Sequence, residues 1–286
     1  MTKRIAVISD SHSGHRFGLL MPGIQIETLK NYPGVPESEY WTPELTEHNK
    51  YLYNLYMRLV NRAGESKHDL TLIHSGELTY GARYPSGLLD TSIATQVIMG
   101  YSSMLPWYRL KRLKRVRIVD GTPVHEFEDS SASILIARML RKEFPKVDTR
   151  VVDHALLTIE GVRIDVAHHG ASAGQRMWLK GNELRYYLRD RILREIIDGE
   201  NPPDLYIRGH YHVRHSEVID IGDGKERRIC IMPSYLMDIS GYAKKVTRSE
   251  YKITVGGALF TIDDGSITAP EWVTESLDLR VKETWN

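Results

Sequence analysis

Histidines and acidic residues are concentrated in five short polar clusters, each at the end of a run of apolar residues. The clusters hold six of the twelve histidines: Asp10-Ser11-His12, Gly76-Glu77, Gly121 to Glu126, His168-His169 and Gly209-His210-Tyr211-His212. The apolar runs before them are predicted strands, and α/β sheets bind ligands at the carboxyl ends of their strands. Carboxylate oxygens together with imidazole nitrogens favour Mn, Fe, Zn or Ni over Ca, which prefers an all-oxygen shell. The clusters therefore predict a site for divalent metal ions.

The spacing within two of the clusters indicates how their side chains could share ions. In an extended segment, residues i and i+2 point to the same side. Asp10 and His12 can therefore reach one ion together, and His210 and His212 can present two imidazoles in one direction. Two neighbouring ions need an anion between them, and a carboxylate from a third strand end can bridge them.

The order of the clusters resembles the motif series of the calcineurin-like metallophosphoesterases. That series is D-x-H after the first strand, a Gly-acid pair after the second and a Gly-Asn-His turn after the third, followed by His and then G-H-x-H. The chain follows this order from Asp10 to His212. The resemblance implies hydrolysis of a phosphodiester or phosphomonoester by a metal-bound hydroxide at a dinuclear site.

The resemblance also implies a role for each of these side chains. It assigns Asp10, His12 and His212 to the first ion, and His210 with either His168 or His169 to the second. His168 is favoured because it lies nearer the strand end, but His169 stays an alternative. Glu77 would bridge the two ions. His125 would protonate the leaving oxygen or stabilise the charge on the phosphoryl group.

Two positions depart from the family pattern. The family usually has Asp where this chain has Glu77, whose extra methylene moves the carboxylate. The third motif lacks the usual Asn, so Thr122 replaces it as a weak ligand, His125 becomes a ligand, or the second ion has one ligand fewer. Somewhat similar G-T-x-x-H turns occur in phage and prophage members of the superfamily. His15, close to the first motif, is a further candidate for contact with metal or substrate.

The predicted elements alternate between strands and helices in the first half of the chain and then become mostly hairpins. Predicted strands cover 3–9, 69–74, 115–119, 150–159, 162–167, 203–207, 215–221, 227–232 and 252–262. Predicted helices cover 42–63, 91–105, 130 or 131–144 and 181–198, and residues 14–40 are predicted to be irregular. We therefore expect one domain over residues 1–286. Its expected α/β fold is a four-layer α-β-β-α sandwich with two mixed β-sheets packed face to face and flanking helices.

Composition restricts the partners of the protein. Of its 286 residues, 41% are hydrophobic and the net charge is +1, so a nucleic-acid substrate is open but is not indicated by charge. No apolar run approaches the roughly 18 residues of a membrane helix, and we expect no membrane partner. The single cysteine, Cys230, indicates a reducing compartment, and the first residues do not form a signal peptide, so we expect a cytoplasmic protein.

Two classes of function are compatible with these features. The first is a metal-dependent phosphoesterase with two divalent ions, for which Mn is preferred and Fe, Zn, Ni and Mg are alternatives. Its substrate would be a phosphoester such as a nucleotide, a cyclic nucleotide or a nucleic acid. The alternative is a catalytically weak or inactive binding or scaffold protein on the same fold, which Glu77 and the altered third motif favour. The sequence leaves oligomerisation open.

Overall fold

The computed structural model describes residues 1–29, 38–128, 130–174, 179–237, 252–278 and 280–285. The helices of these residues are α1 (Glu47–Gly64), α2 (Ile93–Tyr108), α3 (Ser131–Glu143) and α4 (Asn182–Ile197). The strands are β1 (Lys3–Ile8), β2 (Ile26–Leu29), β3 (Ser38–Trp41), β4 (Asp69–His74), β5 (Leu113–Val119), β6 (Asp148–Val152), β7 (His154–Ile159), β8 (Val162–Ala167), β9 (Leu205–Arg208), β10 (His215–Asp220), β11 (Glu226–Ile231), β12 (Lys252–Asp263), β13 (Ser266–Ile267) and β14 (Glu271–Asp278). No helix among the described residues is long and apolar enough to cross a bilayer.

Two mixed sheets and one small hairpin make up the β structure. The first sheet has the order β13-β12-β1-β4-β5-β6, with β14 also paired to β12. Strands β1, β4, β5 and β6 run parallel, and β12 is antiparallel to β1. The second sheet has the order β10-β11-β9-β8-β7, with β8, β9 and β11 parallel. Strands β2 and β3 form the hairpin.

The first strand shows why the sheets stack with helices outside them. Successive residues of a strand point to opposite faces. Ile5 and Val7 enter an apolar core that they share with Ile164 and Ile207 of the second sheet. Ala6, next to them, enters a core shared with helices α1, α2 and α3. Helix α4 packs on the second sheet through Leu184, Leu188 and Ile192. The protein is therefore a mixed α/β fold whose two large sheets share one core.

The start of helix α1 differs from the sequence prediction. The Thr42-Pro43 pair was expected to open it, but it begins at Glu47 with Thr46 as its N-cap. Thr46 Oγ1 accepts a hydrogen bond from Asn49 N at 3.2 Å, and Asn49 Oδ1 accepts one from Thr46 N at 3.0 Å. This reciprocal capping box outweighs a proline at the first position. Asn49 Nδ2 also donates to the carbonyl oxygen of Gly18, which fixes the loop that follows β1.

Two further expectations about strands were wrong. The run 150–159 is not one strand: it breaks at Asp153 into β6 of the first sheet and β7 of the second. The apolar pattern is the same on both sides of the break, so periodicity alone did not reveal the change of sheet. Residues 14–40, expected to be irregular, contain the hairpin β2–β3 in their described part. Strands β13 and β14 were not predicted.

Candidate metal centre

The five polar clusters meet because the strands before them end at the same edge of the two sheets. Backbone hydrogen bonds join the clusters directly after the strands. Asp10 N donates to the carbonyl oxygen of Gly76 at 2.9 Å, and Gly209 N donates to that of His168 at 3.0 Å. Four of the five clusters are thus joined in pairs by their backbones before any side chain is considered.

Four side chains form a first group of ligand atoms that all lie within 4.8 Å of one another: Asp10, His12, Glu77 and His212. His212 Nε2 lies 3.1 Å from Asp10 Oδ1 and 3.2 Å from His12 Nε2. Asp10 Oδ2 accepts hydrogen bonds from Ser9 Oγ and, at 3.3 Å, from His210 N. Its other oxygen, Oδ1, is the atom that faces His212.

Three histidines form a second group within the same 4.8 Å limit: His168, His169 and His210. The His169 and His210 rings are 4.6 Å apart, and those of His168 and His210 are 5.3 Å apart. His168 Nδ1 lies 2.7 Å from the carbonyl oxygen of Ser75, to which it donates. In the neutral imidazole this bond leaves the lone pair on His168 Nε2, which is the usual arrangement of a metal-ligating histidine.

Glu77 connects the two groups. Its Oε2 lies 3.0 Å from His12 Nε2, and its Oε1 lies 3.2 Å from His168 Nε2. One carboxylate therefore presents one oxygen to each group. The two groups are brought together around a single acidic side chain that is almost wholly buried.

The backbone at these residues is unusual. Asp10, His12, Glu77, His210 and His212 all have positive φ, between 46° and 69°. This left-handed region costs a residue with a side chain about 1–2 kcal/mol relative to the helical region. Such strain tends to be retained at functional sites, where the surrounding structure holds it. Five of the seven side chains in the two groups thus sit on strained backbone.

Two glycines allow the clusters to approach one another closely. A Cβ on Gly76, which has φ of 110°, would lie 2.2 Å from His168 Nδ1. A Cβ on Gly209 would lie 2.4 Å from Ser9 Oγ. The position of His168 therefore depends on the absence of a side chain at residue 76.

Two side chains of the third motif, Thr122 and His125, contact residues of the first group or border it, and His125 is not among the clustered ligand atoms. Thr122 Oγ1 donates a 2.7 Å hydrogen bond to Glu77 Oε1. His125 Nδ1 lies 2.6 Å from the carbonyl oxygen of Tyr80, to which it donates, and its ring is 4.8 Å from the His12 ring. Thr122 thus orients the acidic side chain, and His125 borders the first group.

His15 and His74 lie outside both groups. The ring of His15 is buried 4.4 Å from the ring of Tyr80, and its Nδ1 accepts a hydrogen bond from Phe17 N at 3.2 Å. His74 is buried in β4 with Nε2 2.8 Å from Ser11 Oγ. Both histidines support the loop after β1 in the described part of the chain.

Charges within the first group favour ionised carboxylates. Burial opposes the ionisation of Asp10 and Glu77, but His212 and His12 outweigh it and hold the pKa of each carboxyl below its ordinary value. Burial lowers the pKa of His12 to about 4, although Glu77 acts in the opposite direction. Burial also acts to lower the pKa of His168, but the opposing effect of Glu77 and Asp10 is larger, and together they raise this pKa to about 9.

The donor atoms present fit the binding of a divalent transition metal. His168 Nε2 is buried and has no hydrogen-bond partner among the described residues, although a carboxylate oxygen lies nearby. An ion between the two would satisfy both atoms and displace the proton from the imidazole. The first group offers two imidazoles and two carboxylates, and the second offers three imidazoles beside the shared Glu77.

Sequence reasoning missed a buried ion pair behind the second group. Arg208 is 1% exposed, and its Nη2 lies 2.6 Å from Asp165 Oδ1. Asp165 Oδ2 lies 2.8 Å from His154 Nε2. Arg208 directly precedes Gly209, so its place next to a motif was the available indication, but nothing in its spacing identified Asp165 as its partner.

Comparisons with known proteins show only distant similarity. No protein-family model and no curated protein matches the chain. The chain is similar to a Thermotoga maritima protein solved by NMR, at 15% identity and a TM-score of 0.35 over 94% of this chain and 98% of that one. A metallophosphoesterase from Sphaerobacter thermophilus is similar at 13% identity and a TM-score of 0.35, over 97% and 89%.

The sulfate thiohydrolase SoxB of Thermus thermophilus is similar at 12% identity and a TM-score of 0.35, over 97% of this chain and 56% of that one. These similarities are too low to place the chain in a family. The function must therefore be argued from the site itself.

Proposed function

We propose that the protein is a metal-dependent phosphoesterase with a dinuclear site. The observation that carries this proposal is the position of Glu77, which presents one carboxylate oxygen to His12 at 3.0 Å and the other to His168 at 3.2 Å. A carboxylate shared between two groups of ligands is the arrangement that holds two ions close together. We also infer a single domain over residues 1–286 with the layer order α-β-β-α.

The proposed ligands follow the two groups. Asp10, His12 and His212 would hold the first ion, and His168, His169 and His210 would hold the second, with Glu77 shared between them. Because the second group is rich in nitrogen, it favours transition metals over Mg. Mn is our first choice, with Fe, Zn and Ni as alternatives. When bound, the ions would activate a water molecule and neutralise negative charge on the phosphoryl oxygens.

The residues of the chain orient the reaction. The carbonyl oxygen of Tyr80 fixes the ring of His125, so that Nε2 of the ring is free to carry a proton to the leaving oxygen. Thr122 keeps Glu77 in its bridging orientation. The substrate is a phosphodiester or a phosphomonoester, and we favour the diester.

A metal and substrate screen tests this proposal. We expect bis-p-nitrophenyl phosphate or p-nitrophenyl phosphate to be hydrolysed after loading with Mn, Fe, Zn or Ni, and elemental analysis to find two ions per chain. The His210→Ala variant should bind one ion fewer, and its kcat should be lower by about 100-fold or more. Its circular dichroism spectrum should stay unchanged. His68→Ala, at an exposed histidine, is the matched control and should keep both ions. A folded protein with two ions and no turnover of either ester would favour the binding or scaffold alternative.

A further inference from the structure

A polar cavity of about 290 Å³ opens beside the second histidine group. Its lining includes His168 and His169 of the second group together with Asp120, Asp153, His154, Tyr187 and Arg191. Ligand pockets are usually lined mainly by apolar side chains. This cavity instead has charged or hydrogen-bonding groups on nearly every side. Its position next to the proposed second ion makes it a place for a group attached to the reacting phosphorus.

The wall of the cavity is held rigidly by the buried pair of Arg208 and Asp165. Arg208 Nη2 lies 2.6 Å from Asp165 Oδ1 and donates to Tyr187 Oη at 3.2 Å. Asp165 Oδ2 in turn accepts a hydrogen bond from His154 Nε2 at 2.8 Å. Tyr187 and His154 are thus both fixed by the same buried pair, and a pocket fixed in this way loses little freedom when a ligand binds.

Three groups on the walls are available to a ligand. The side chain of His154 is 53% exposed and that of Arg191 is 41% exposed. Asp153 is exposed and has no hydrogen-bond or ion-pair partner within the described residues. Arg191 makes a 3.4 Å contact with its chain neighbour Asp190, and its guanidinium lies 5.3 Å from the centre of the Tyr187 ring. The cavity therefore offers a carboxylate, a guanidinium and an imidazole within one small volume.

We propose that this cavity binds a hydroxyl-rich arm of the phosphoester, such as a glyceryl group or one sugar. This inference rests on the proposed function and names its substrate class. A hydroxyl group can donate to the carboxylate of Asp153 and also accept from the guanidinium of Arg191. An apolar arm would displace the water that hydrates these groups and would form no hydrogen bonds in its place. A second phosphate would be repelled by the carboxylates of Asp120 and Asp153.

The volume also limits the size of the arm. A water molecule occupies about 30 Å³ in the liquid, so the cavity holds the equivalent of roughly ten waters. That space accommodates a glyceryl group or a single sugar ring. It excludes a nucleic-acid duplex as the group bound at this position.

Two chromogenic diesters with the same leaving group test the proposal. Glyceryl p-nitrophenyl phosphate and phenyl p-nitrophenyl phosphate differ only in the second arm. We expect kcat/KM for the glyceryl ester to exceed that for the phenyl ester by at least tenfold. Asp153→Ala and Arg191→Ala should each lower this ratio by about tenfold. Arg189→Ala, an exposed arginine of the same helix that does not line the cavity, should leave the ratio unchanged.

A preference for the phenyl ester, or a ratio that neither variant changes, would overturn the proposal. Failure of the proposed function has a different result, since neither ester would then be hydrolysed with any metal. In that case, calorimetric binding of glycerol 3-phosphate and phenyl phosphate to the Mn-loaded protein decides the question. Tighter binding of glycerol 3-phosphate that is weakened by Arg191→Ala supports the proposal, and equal binding of the two contradicts it.

Discussion

The hydroxyl of Thr122 donates a 2.7 Å hydrogen bond to Oε1 of Glu77, the oxygen that also faces His168. Thr122 of the third motif therefore acts on the carboxylate that lies between the two groups of ligand atoms. A hydrogen bond of this kind fixes a ligand carboxylate in one orientation, and losing such outer contacts typically weakens metal binding by about 10–100-fold.

Thr122→Val should selectively weaken the binding of the proposed second ion. Valine has nearly the shape of threonine but no hydroxyl, so Glu77 Oε1 loses its donor. We expect Mn affinity at the weaker site to fall by about 10–100-fold in competition titrations. Thr122→Ser keeps the hydroxyl and should retain most of the affinity. Equal affinities in the valine and serine variants would show that the hydrogen bond does not position the carboxylate.

Gly76→Ala should displace His168. The added Cβ would lie 2.2 Å from His168 Nδ1, and the residue has φ of 110°. We expect loss of one ion by elemental analysis together with a lower melting temperature. Gly199→Ala is the control, because its φ of 78° imposes similar backbone strain while no atom lies within 4 Å of its Cβ. It should cost only about 1–2 kcal/mol of unfolding free energy, with both ions retained.

Much of the candidate site could be predicted because its residues follow strands. A buried strand has a simple apolar pattern, and the polar residues after it mark its end; the expected bounds 69–74 match β4. The roles within the turns could not be predicted in this way. Whether Thr122 binds an ion or orients Glu77 depends on a side-chain hydrogen bond that spacing does not specify.

The sequence was a poorer guide where two elements adjoin without a glycine or proline between them. Residues 150–159 read as one strand, yet Asp153 separates two strands that belong to different sheets. Similarly, Arg208 and Asp165 lie in adjacent strands, and their ion pair depends on the register between β8 and β9. Register is a tertiary property that is set by packing rather than by local composition.

Asp165→Asn should strongly destabilise the fold. It would leave the guanidinium of Arg208, which is 1% exposed, without its carboxylate. Breaking a buried pair from one side typically costs about 3–5 kcal/mol. Asp190→Asn breaks the exposed pair with Arg194 and should cost about 0–1 kcal/mol. Urea unfolding of both variants measures the difference, and equal midpoints would contradict the assigned importance of the buried pair.

Glu126 should make the metal-free protein less stable as pH rises. This carboxyl is wholly buried, and burial raises its pKa from 4.5 to about 7, although it accepts hydrogen bonds from Leu78 N and Ser133. The nearby acids Asp120 and Glu77 raise the pKa further. The unfolded chain ionises at the lower pH, so the stability present below pH 4.5 is lost progressively up to about pH 7.

Glu126→Gln tests this expectation, because glutamine has a similar shape but cannot ionise. With EDTA present, the unfolding free energy of the unsubstituted protein should fall between pH 5 and pH 8 by up to about 3 kcal/mol more than that of the variant. The difference in slope is the diagnostic quantity, since glutamine can also change the absolute stability by altering the hydrogen bonds to Ser133. Parallel pH profiles for the two proteins would show that Glu126 does not titrate in this range.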